Sequence, residues 1–360
     1  MAHLSRRTLN RTLLTRQFLT ERTSLPASVV VERLVAMQSQ EPNWPYVGLW
    51  TRVAGFRHDD LTALLHDRSV VRSTVLRRTQ HLVSGNDFGW LRPTIQPIVD
   101  SALRSKFFLT EIDGMDLDEL AMTGRELLAG RTLTRREFGR LLAERFPGRH
   151  AGRLASTVEL KVALVHAPAD GAWGRWGTPS SVSVTLAEEW TGRPMATARQ
   201  LDTMIHRYLA AFGPASVPDM QAWSGLTRLR EVVDGMALRA YRDEHGKELF
   251  DLPDTPLAED DTPTPVRFLP GYDNLLLGHA DRTRVVSDED RKQVTPGGAV
   301  VRPTFLVDGF VRGLWSVADS TLTVIPFRPL SKMDTAAVRT EAERLLPFVT
   351  NAKDAHVAFE

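Results

Sequence analysis

The spacing of apolar residues in the middle of the chain is that of helices followed by a hairpin. Met195–Phe212 places Leu201, Ile205 and Leu209 on one helical face, and the Gly-Pro pair that follows predicts its end. Two short helices joined by a tight turn come next, and then alternating residues of a hairpin, over Ser216–Trp223, Thr227–Leu238 and Ala240–Leu252. Helix-turn-helix followed by a hairpin is the element order of a winged helix.

The N-terminal half repeats this order more weakly. Predicted helices precede an alternating, wing-like stretch, over Ser5–Glu21, Pro26–Gln38, Asp59–Arg68 and Val70–Val83. Further helical stretches lead to a third helix pair, over Phe88–Phe108, Asp116–Ala129, Thr132–Phe146 and Gly152–His166. We therefore predict three modules, with two modules and a helical insert as the alternative.

The C-terminal part is rich in predicted strands. It follows Asp251–Pro265, a stretch with four prolines that reads as a linker or exposed loop. Three strands with an Asp-Gly turn and a closing helix are predicted over Ala299–Val307, Phe310–Val317, Thr321–Phe327 and Asp334–Leu346. The fold class is α+β with helices dominant, divided at 1–110, 111–195, 196–255 and 256–360.

Composition narrows the class of protein. With 360 residues of which 42% are hydrophobic, the chain can bury sizeable cores, and no run of eighteen apolar residues suggests a membrane span. Cysteine is absent, which excludes disulfides, thiolate metal sites and cysteine nucleophiles and fits a reducing compartment. We expect a cytoplasmic protein without a secretory signal.

Several motifs of common enzyme classes are missing. The sequence has no phosphate-binding GxxxxGK[ST] loop, no GxGxxG, no GxSxG and no HExxH, and its ten histidines lack ligand spacing. Nucleotide hydrolysis, redox chemistry and metal catalysis therefore lose support, and we expect neither a metal nor a cofactor.

Positive charge is concentrated on arginine near the N-terminus. The net charge is +1, yet residues 1–57 hold eight arginines and three acids. Arginine suits phosphate oxygens, although an arginine-favouring genome explains the bias equally well. The pairs Arg77-Arg78 and Arg135-Arg136 are phosphate-contact candidates, with solvated surface as the alternative. Trp173 and Trp176, flanked by glycines, read as core or turn aromatics.

A pair of glutamines marks the end of the second predicted helix. Pro42 prevents helix shortly before it, so Gln38 and Gln40 lie at or past the helix terminus and, in extended chain, project to one side. Trp44 and Tyr46 follow closely and offer stacking surface. Capping of backbone carbonyls or exposure to water is the alternative role for the two amides.

Short motifs are spread along nearly the whole chain. The first are Met37-Gln38-Ser39-Gln40, Pro45–Trp50 and Thr79–Leu82. The later ones are Phe212–Asp219, Trp223–Leu226, Leu269–Asp273, Leu276–Arg282 and Val307–Gly309. Each motif is weak by itself, but together they resemble a known family, the bacterial winged-helix DNA glycosylases of the AlkZ and YcaQ type.

The resemblance implies three tandem winged helices, which could form a C shape around a DNA channel, and a catalytic Gln-x-Gln at Gln38 and Gln40. Ser39 departs from the usual aliphatic middle residue, which puts lesion preference or pocket shape in doubt. The resemblance further implies that the segment with His279 and Arg282 faces the DNA channel. From their own side chains, Trp44, Tyr46, Arg77 and Arg78 are also expected to contact DNA. For His279 and Arg282, a packed histidine and a surface ion pair are the alternative.

The chemistry of two neutral amides suits a cationic leaving group. An alkylated purine that carries positive charge leaves without an acid, so placing a water and sheltering the sugar cation suffice. We expect a monofunctional glycosylase for bulky or crosslinking N7-alkylguanine-type lesions in double-stranded DNA, acting as a monomer, in self-resistance to a DNA-alkylating natural product. The alternatives are a transcription regulator or other non-catalytic DNA-binding protein, reading bases with Thr227–Arg230, and a scaffold module.

Overall fold

A computed structural model of the chain describes residues 2–169 and 181–360. Trp173 and Trp176 lie outside the described residues. The fold is α+β, with more residues in helices than in strands, and this confirms the predicted class. None of the described helices combines the length and the hydropathy of a membrane span.

The N-terminal region has four helices and four strands. They are β1 (Ala2–His3), α1 (Arg6–Arg16), α2 (Ala27–Arg33), β2 (Met37–Gln38), α3 (Trp44–Trp50), α4 (His58–His66), β3 (Val70–Thr74) and β4 (Gln80–Ser84). Ser5 caps α1 by accepting a hydrogen bond from the Thr8 amide at 2.8 Å, which satisfies one of the free N–H groups at the helix start.

The next region is mainly helical and supplies three further strands. Its elements are α5 (Gly85–Thr94), α6 (Gln96–Asp100), α7 (Lys106–Ile112), α8 (Leu117–Leu128), β5 (Leu133–Thr134), α9 (Arg135–Arg145), α10 (Ala151–Lys161), β6 (Leu164–Ala167), β7 (Ser183–Leu186) and α11 (Ala187–Thr191). A capping box of Thr134 and Glu137 begins α9. Strands β2 to β7 form one sheet in the order β2-β4-β3-β6-β7-β5, so both N-terminal regions share it.

The central winged-helix elements appear in the predicted order. They are α12 (Leu201–Phe212), α13 (Val217–Ser224), α14 (Arg230–Asp234), β8 (Arg239–Arg242) and β9 (Glu248–Asp251). Ser216 and Asp219 form the capping box of α13. Strand β1 joins this hairpin in parallel to β8, so the N-terminus completes a sheet more than 200 residues away.

The C-terminal region forms a five-stranded sheet covered by a long helix. Its elements are β10 (Arg267–Leu269), α15 (Asn274–Leu277), α16 (Asp288–Val294), β11 (Thr304–Val307), β12 (Phe310–Ala318), β13 (Thr321–Pro326), α17 (Lys332–Val349) and β14 (His356–Phe359). The strand order is β10-β11-β12-β13-β14. The predicted Asp308-Gly309 turn is confirmed, since both residues have positive φ, at 49° and 76°. The module boundaries at 110, 195 and 255 stay a prediction.

Three predicted helices are shorter or broken in the structure. Pro26–Gln38 ends at Arg33, because Val35 takes a φ of 66° and the next residues join the sheet. Thr227–Leu238 shrinks to α14, because Arg228 has a φ of 59°. Phe88–Phe108 breaks into α5, α6 and α7 at points marked by Pro97 and Ser105. Strands β1, β7, β10 and β14 are not predicted from the sequence, and β6 occupies the end of the predicted helix Gly152–His166.

A buried ion pair ties α3 to the segment before α15. Arg52 Nη2 and Nη1 lie 2.8 and 2.9 Å from the two carboxylate oxygens of Asp273, and Nη1 also donates to the Gly48 carbonyl at 2.9 Å. The two side chains are 0% and 3% exposed. Because a buried charge without a partner is strongly destabilising, the pair fixes how these two segments meet.

We predict that Arg52→Met lowers the free energy of unfolding by about 3–5 kcal/mol, because it leaves the Asp273 carboxylate buried without its partner. Urea unfolding at pH 7 measures the change. Arg57→Ala is the matched control, since Arg57 pairs with Asp60 at the surface with 79% of its side chain exposed and should cost less than about 1 kcal/mol. Equal losses in the two variants would contradict the prediction.

Candidate functional site

The two glutamines of the Gln-x-Gln motif lie in extended chain at the edge of the large sheet. Gln38 is the last residue of β2 and pairs with His81 of β4. The ladder continues one residue further, because the Ser39 amide donates to the Gln80 carbonyl at 2.8 Å. The motif is therefore strand-like and not the end of a helix, which corrects the local prediction but keeps the extended geometry.

Alternation along this strand separates the three motif residues. Gln38 lines a cleft, Ser39 is 1% exposed, and Gln40 is exposed. Successive side chains of a strand point to opposite faces, so Ser39 turns away from the side of Gln38. Its buried hydroxyl has no hydrogen-bond partner among the described residues. Ser39 thus contributes its backbone to the site.

The amides of Gln38 and Gln40 are oriented by the chain around them. Gln38 Oε1 accepts a hydrogen bond from the Gln40 amide at 3.1 Å. Gln40 Oε1 lies 3.5 Å from the Gln80 amide, at the limit of a hydrogen bond. Each carbonyl oxygen keeps a second lone pair, so each can accept from a water molecule.

Arg72 of β3 holds the backbone of the motif. Its Nε and Nη2 donate to the Ser39 carbonyl at 3.3 and 3.1 Å, and its Nη1 lies 2.8 Å from His166 Nδ1 on β6. Burial lowers the pKa of Arg72 to about 10, and the charge of Arg135 adds to this. Arg135 in turn binds Glu159 at 2.6 Å. Polar side chains from α9, α10 and β6 are therefore connected to the Gln-x-Gln motif through Arg72.

A second clamp comes from the C-terminal region. Asn274 Nδ2 donates to the Ala36 carbonyl at 2.7 Å, directly before β2. The preceding residue, Asp273, is the partner of Arg52. Tyr272, with a φ of 61°, lines the same cleft as Gln38. The Leu269–Asp273 motif thus places one wall of the cleft against the glutamines.

The cleft beside Gln38 has a volume of about 390 Å³ and a lining that carries positive charge. Arg77 and Arg282 contribute guanidinium groups, Thr79 and Tyr272 contribute hydroxyl-bearing side chains, and residues 297–301 contribute a glycine-containing loop. Within the described chain, no aspartate, glutamate or lysine lines it. Among the described residues, the cleft therefore offers the amide of Gln38, hydroxyls and cations, but neither a carboxylic acid nor an amine nucleophile, and Gln40 lies outside its lining.

The two guanidinium groups in the cleft lack carboxylate partners in the described part of the chain. Arg77 donates to the Trp223 carbonyl at 2.6 Å. Burial lowers the pKa of Arg77 to about 10, with a further contribution from the charge of Arg282. Burial also lowers the pKa of Arg282, to which Arg291 contributes. An anion between them would stabilise both charges, as a DNA phosphate does.

The remaining candidate residues divide into accessible and buried ones. Arg78 is exposed, and Trp44 is half-buried, packed edge to face on Trp315 with ring centroids 5.8 Å apart. Tyr46 is 2% exposed, and its hydroxyl lies 3.0 Å from Thr62 Oγ1. His279 is also 2% exposed. The burial of Tyr46 and His279 argues against the implied DNA contact for these two side chains.

The His279 side chain is hydrogen-bonded inside the protein and is not open to solvent. Its Nε2 donates to the Phe212 carbonyl at 3.0 Å, and the Asp219 carboxylate accepts from the Ala280 amide at 3.0 Å. Two sequence motifs thereby meet, Phe212–Asp219 and Leu276–Arg282. Burial lowers the pKa of His279 to about 3, with help from the charge of Arg284, so the ring is neutral near pH 7.

Sequence reasoning missed Arg72 and Asn274. Arg72 interrupts the apolar run of β3, and a charged residue within a buried strand is a signal that could have drawn attention. Asn274 gives no such signal, because its role depends on a contact with a carbonyl 238 residues away. No group of three or more potential metal ligands occurs among the described residues.

The chain matches a protein-family model and is similar to a known protein in sequence and in fold. A family model described as DNA glycosylase AlkZ-like matches residues 31–348. The chain is similar to a Streptomyces sahachiroi protein described as an interstrand DNA cross-link repair glycosylase, with 28% identity over an alignment of 347 positions that covers 91% of this chain and 92% of the relative. The fold resembles the solved structure of Streptomyces sahachiroi DNA glycosylase AlkZ, with a TM-score of 0.82 at 23% identity, covering 99% of this chain and 100% of the other.

We predict that His279 makes stability fall in mild acid. Its folded pKa of about 3 lies below the unfolded value of about 6.5, so between these pH values the unfolded chain binds the extra proton and stability decreases as pH falls. His279→Gln, which keeps a donor for the Phe212 carbonyl, should flatten the loss between pH 6 and 4 by about 1.4 kcal/mol per pH unit. Urea unfolding across this range measures it.

The control for this prediction is His206→Gln, an exposed position on α12. Its stability curve should run parallel to that of the unmodified protein. If His279→Gln also gives a parallel curve, the buried ring is not the origin of acid sensitivity. The pKa of Asp219 is lowered from 3.8 to about 2 in the folded chain, so its own contribution to the loss of stability falls mainly below pH 4, at the lower limit of the measured range.

Proposed function

This chain belongs to the AlkZ-like family of DNA glycosylases, and on that premise we propose that it hydrolyses the N-glycosidic bond of cationic alkylpurines of the N7-alkylguanine type. The proposed substrates include bulky and crosslinking adducts in double-stranded DNA. The observation that carries the proposal is the lining of the cleft beside Gln38, where the described residues supply an amide and two guanidinium groups but no carboxylic acid.

The absence of an acid from this lining restricts the chemistry. A normal purine needs a proton before it departs, whereas an N7-alkylated guanine already carries the positive charge that makes it a leaving group. As the C1′–N9 bond breaks, its electron pair neutralises the base and the sugar becomes cation-like. Water then adds to C1′ and loses a proton to solvent. Neutral amides suffice for such a substrate.

In this mechanism Gln38 and Gln40 are catalytic residues that hold the water. Both carbonyl oxygens have an unused lone pair, and the dipole of an amide turned toward the sugar stabilises its developing charge. Arg72 is a positioning residue, since its two hydrogen bonds to the Ser39 carbonyl fix the strand that bears both amides. No lysine lines the cleft in the described chain, which favours hydrolysis over a Schiff-base lyase reaction.

Arg77 and Arg282 are the proposed phosphate contacts beside the lesion. A phosphodiester next to the target nucleotide would lie between two guanidinium groups that have no carboxylate partner in the described chain. Such contacts fix the register of the strand but do not read its sequence. Arg78, exposed beside Arg77, and Trp44, beside the motif, extend the proposed contact surface.

The central winged-helix elements give less support to the alternative function, a transcription regulator that reads base sequence. Helix α14, the counterpart of a recognition helix, has only five residues. Its Arg230 is bound to Glu248 and Asp234, at 2.6 and 2.8 Å, and is thereby withdrawn from base edges.

We also propose that the protein acts as a monomer on chromosomal DNA in the cytoplasm, and that it protects its host from a DNA-alkylating natural product.

We predict that Gln40→Ala reduces the single-turnover release of N7-methylguanine by about 100-fold or more, because the water loses an acceptor. Gln38→Ala should act in the same direction. Affinity for the duplex, measured by fluorescence anisotropy, should change by less than about threefold, since neither amide carries charge. Gln200→Ala, at an exposed position before α12, is the control. Unchanged rates in both motif variants would remove these residues from the mechanism.

We predict that Arg282→Gln weakens binding to undamaged duplex and lowers the slope of log K against log salt by about 0.9, the value for one lost phosphate contact. Arg328→Gln is the matched control, because Arg328 is already paired with Asp290 and Glu289. Titrations between 50 and 200 mM salt provide both slopes. A slope unchanged by Arg282→Gln would place this guanidinium away from the DNA backbone.

A further inference from the structure

A second cavity lies at the other end of α3 from the glutamine motif. Its volume is about 620 Å³, larger than the cleft beside Gln38, and it is lined by the aromatic rings of Trp50 and Phe56. Three arginines, Arg22, Arg267 and Arg344, complete much of the lining. Nothing in the glycosylase mechanism uses these residues.

The three guanidinium groups share one buried carboxylate, that of Glu341. Arg22 Nη2 lies 2.5 Å from Glu341 Oε1, Arg344 Nη1 lies 3.2 Å from Oε2, and Arg267 Nη1 stays 3.8 Å away. Glu341 lies behind the lining, and the acid that lines the cavity, Glu21, is exposed. Three cations against two carboxylates leave the cavity with a positive charge.

Arg267 is the least satisfied of the three. Its side chain is 6% exposed, and its Nε donates to the Leu19 carbonyl at 3.0 Å. In the described part of the chain, no acceptor lies within hydrogen-bond reach of either terminal nitrogen. Burial, together with the charges of Arg22 and Arg344, lowers the pKa of Arg267 to about 10. A buried planar donor with free terminal nitrogens at a cavity is complementary to an oxyanion.

We propose that this cavity is an anion-binding site for a phosphate ester, held by Arg267 and Arg344 with Arg22 behind them. Two sources share this chemistry, the DNA backbone and a free nucleotide. Helix α3 has seven residues and is about 10 Å long, so a DNA strand that ran along it would span its length with about three nucleotides.

The test compares Arg344→Gln with Arg339→Gln. Arg344 is 60% exposed, so its loss should leave the fold intact. Arg339 lies on the same helix, α17, but stacks on Phe359 and does not line the cavity. With 10 mM sodium phosphate in place of chloride at constant ionic strength, the Tm of the unmodified protein and of Arg339→Gln should rise by about 2 °C. That rise should disappear in Arg344→Gln.

A second arm distinguishes the two sources of phosphate. If the DNA backbone occupies the site, Arg344→Gln lowers the salt slope for undamaged duplex by about 0.9, whereas Arg339→Gln leaves it unchanged. If only the phosphate-dependent rise in Tm is lost, the occupant is a free phosphate or nucleotide. A phosphate response and a salt slope that both survive in Arg344→Gln would overturn the proposal. Neither arm measures base release, so the outcome is independent of the proposed excision chemistry.

Discussion

The glutamine motif depends on a buried polar clamp between distant parts of the chain. Arg52 donates two hydrogen bonds to the Asp273 carboxylate out of contact with water, and the next residue, Asn274, donates to the carbonyl of Ala36 directly before the motif. Because a buried charge without its partner is strongly destabilising, the pair holds the C-terminal end of α3 against the segment that forms one wall of the cleft. The position of the motif relative to the cleft therefore depends on the hydrogen bonds that these buried polar side chains make.

The net charge of +1 does not show how positive and negative side chains are distributed over this protein. Acids neutralise arginines at many surface pairs, but the linings of two cavities hold more guanidinium groups than carboxylates. In both places burial lowers the pKa of an arginine to about 10, which marks a cation that gains from an anionic partner. A polyanion such as DNA is attracted by this distribution, which the net charge does not reveal.

Several motifs that carry the family resemblance serve to assemble the fold. His279 binds the Phe212 carbonyl, Asp219 binds the Ala280 amide, and Asn10 holds the carbonyl of Gly309 at 2.9 Å. Each contact joins segments far apart in sequence. Residues of this kind support the fold of the chain, and His279 and Tyr46 are motif residues whose side chains are buried.

The sequence by itself determined the α+β class, the central helix-turn-helix with its hairpin, the Asp-Gly turn and the position of Gln38 and Gln40 in extended chain, because these follow from local spacing, capping and turn chemistry. It misjudged the helix before the motif, since pairing with β4 outweighs helix propensity there. Only the tertiary structure decided that Arg72 and Asn274 support the motif, that His279 is buried, and that Arg77 and Arg282 share a cleft free of carboxylates in the described chain. Those contacts join residues up to 238 positions apart, and local sequence patterns carry no information on such pairings.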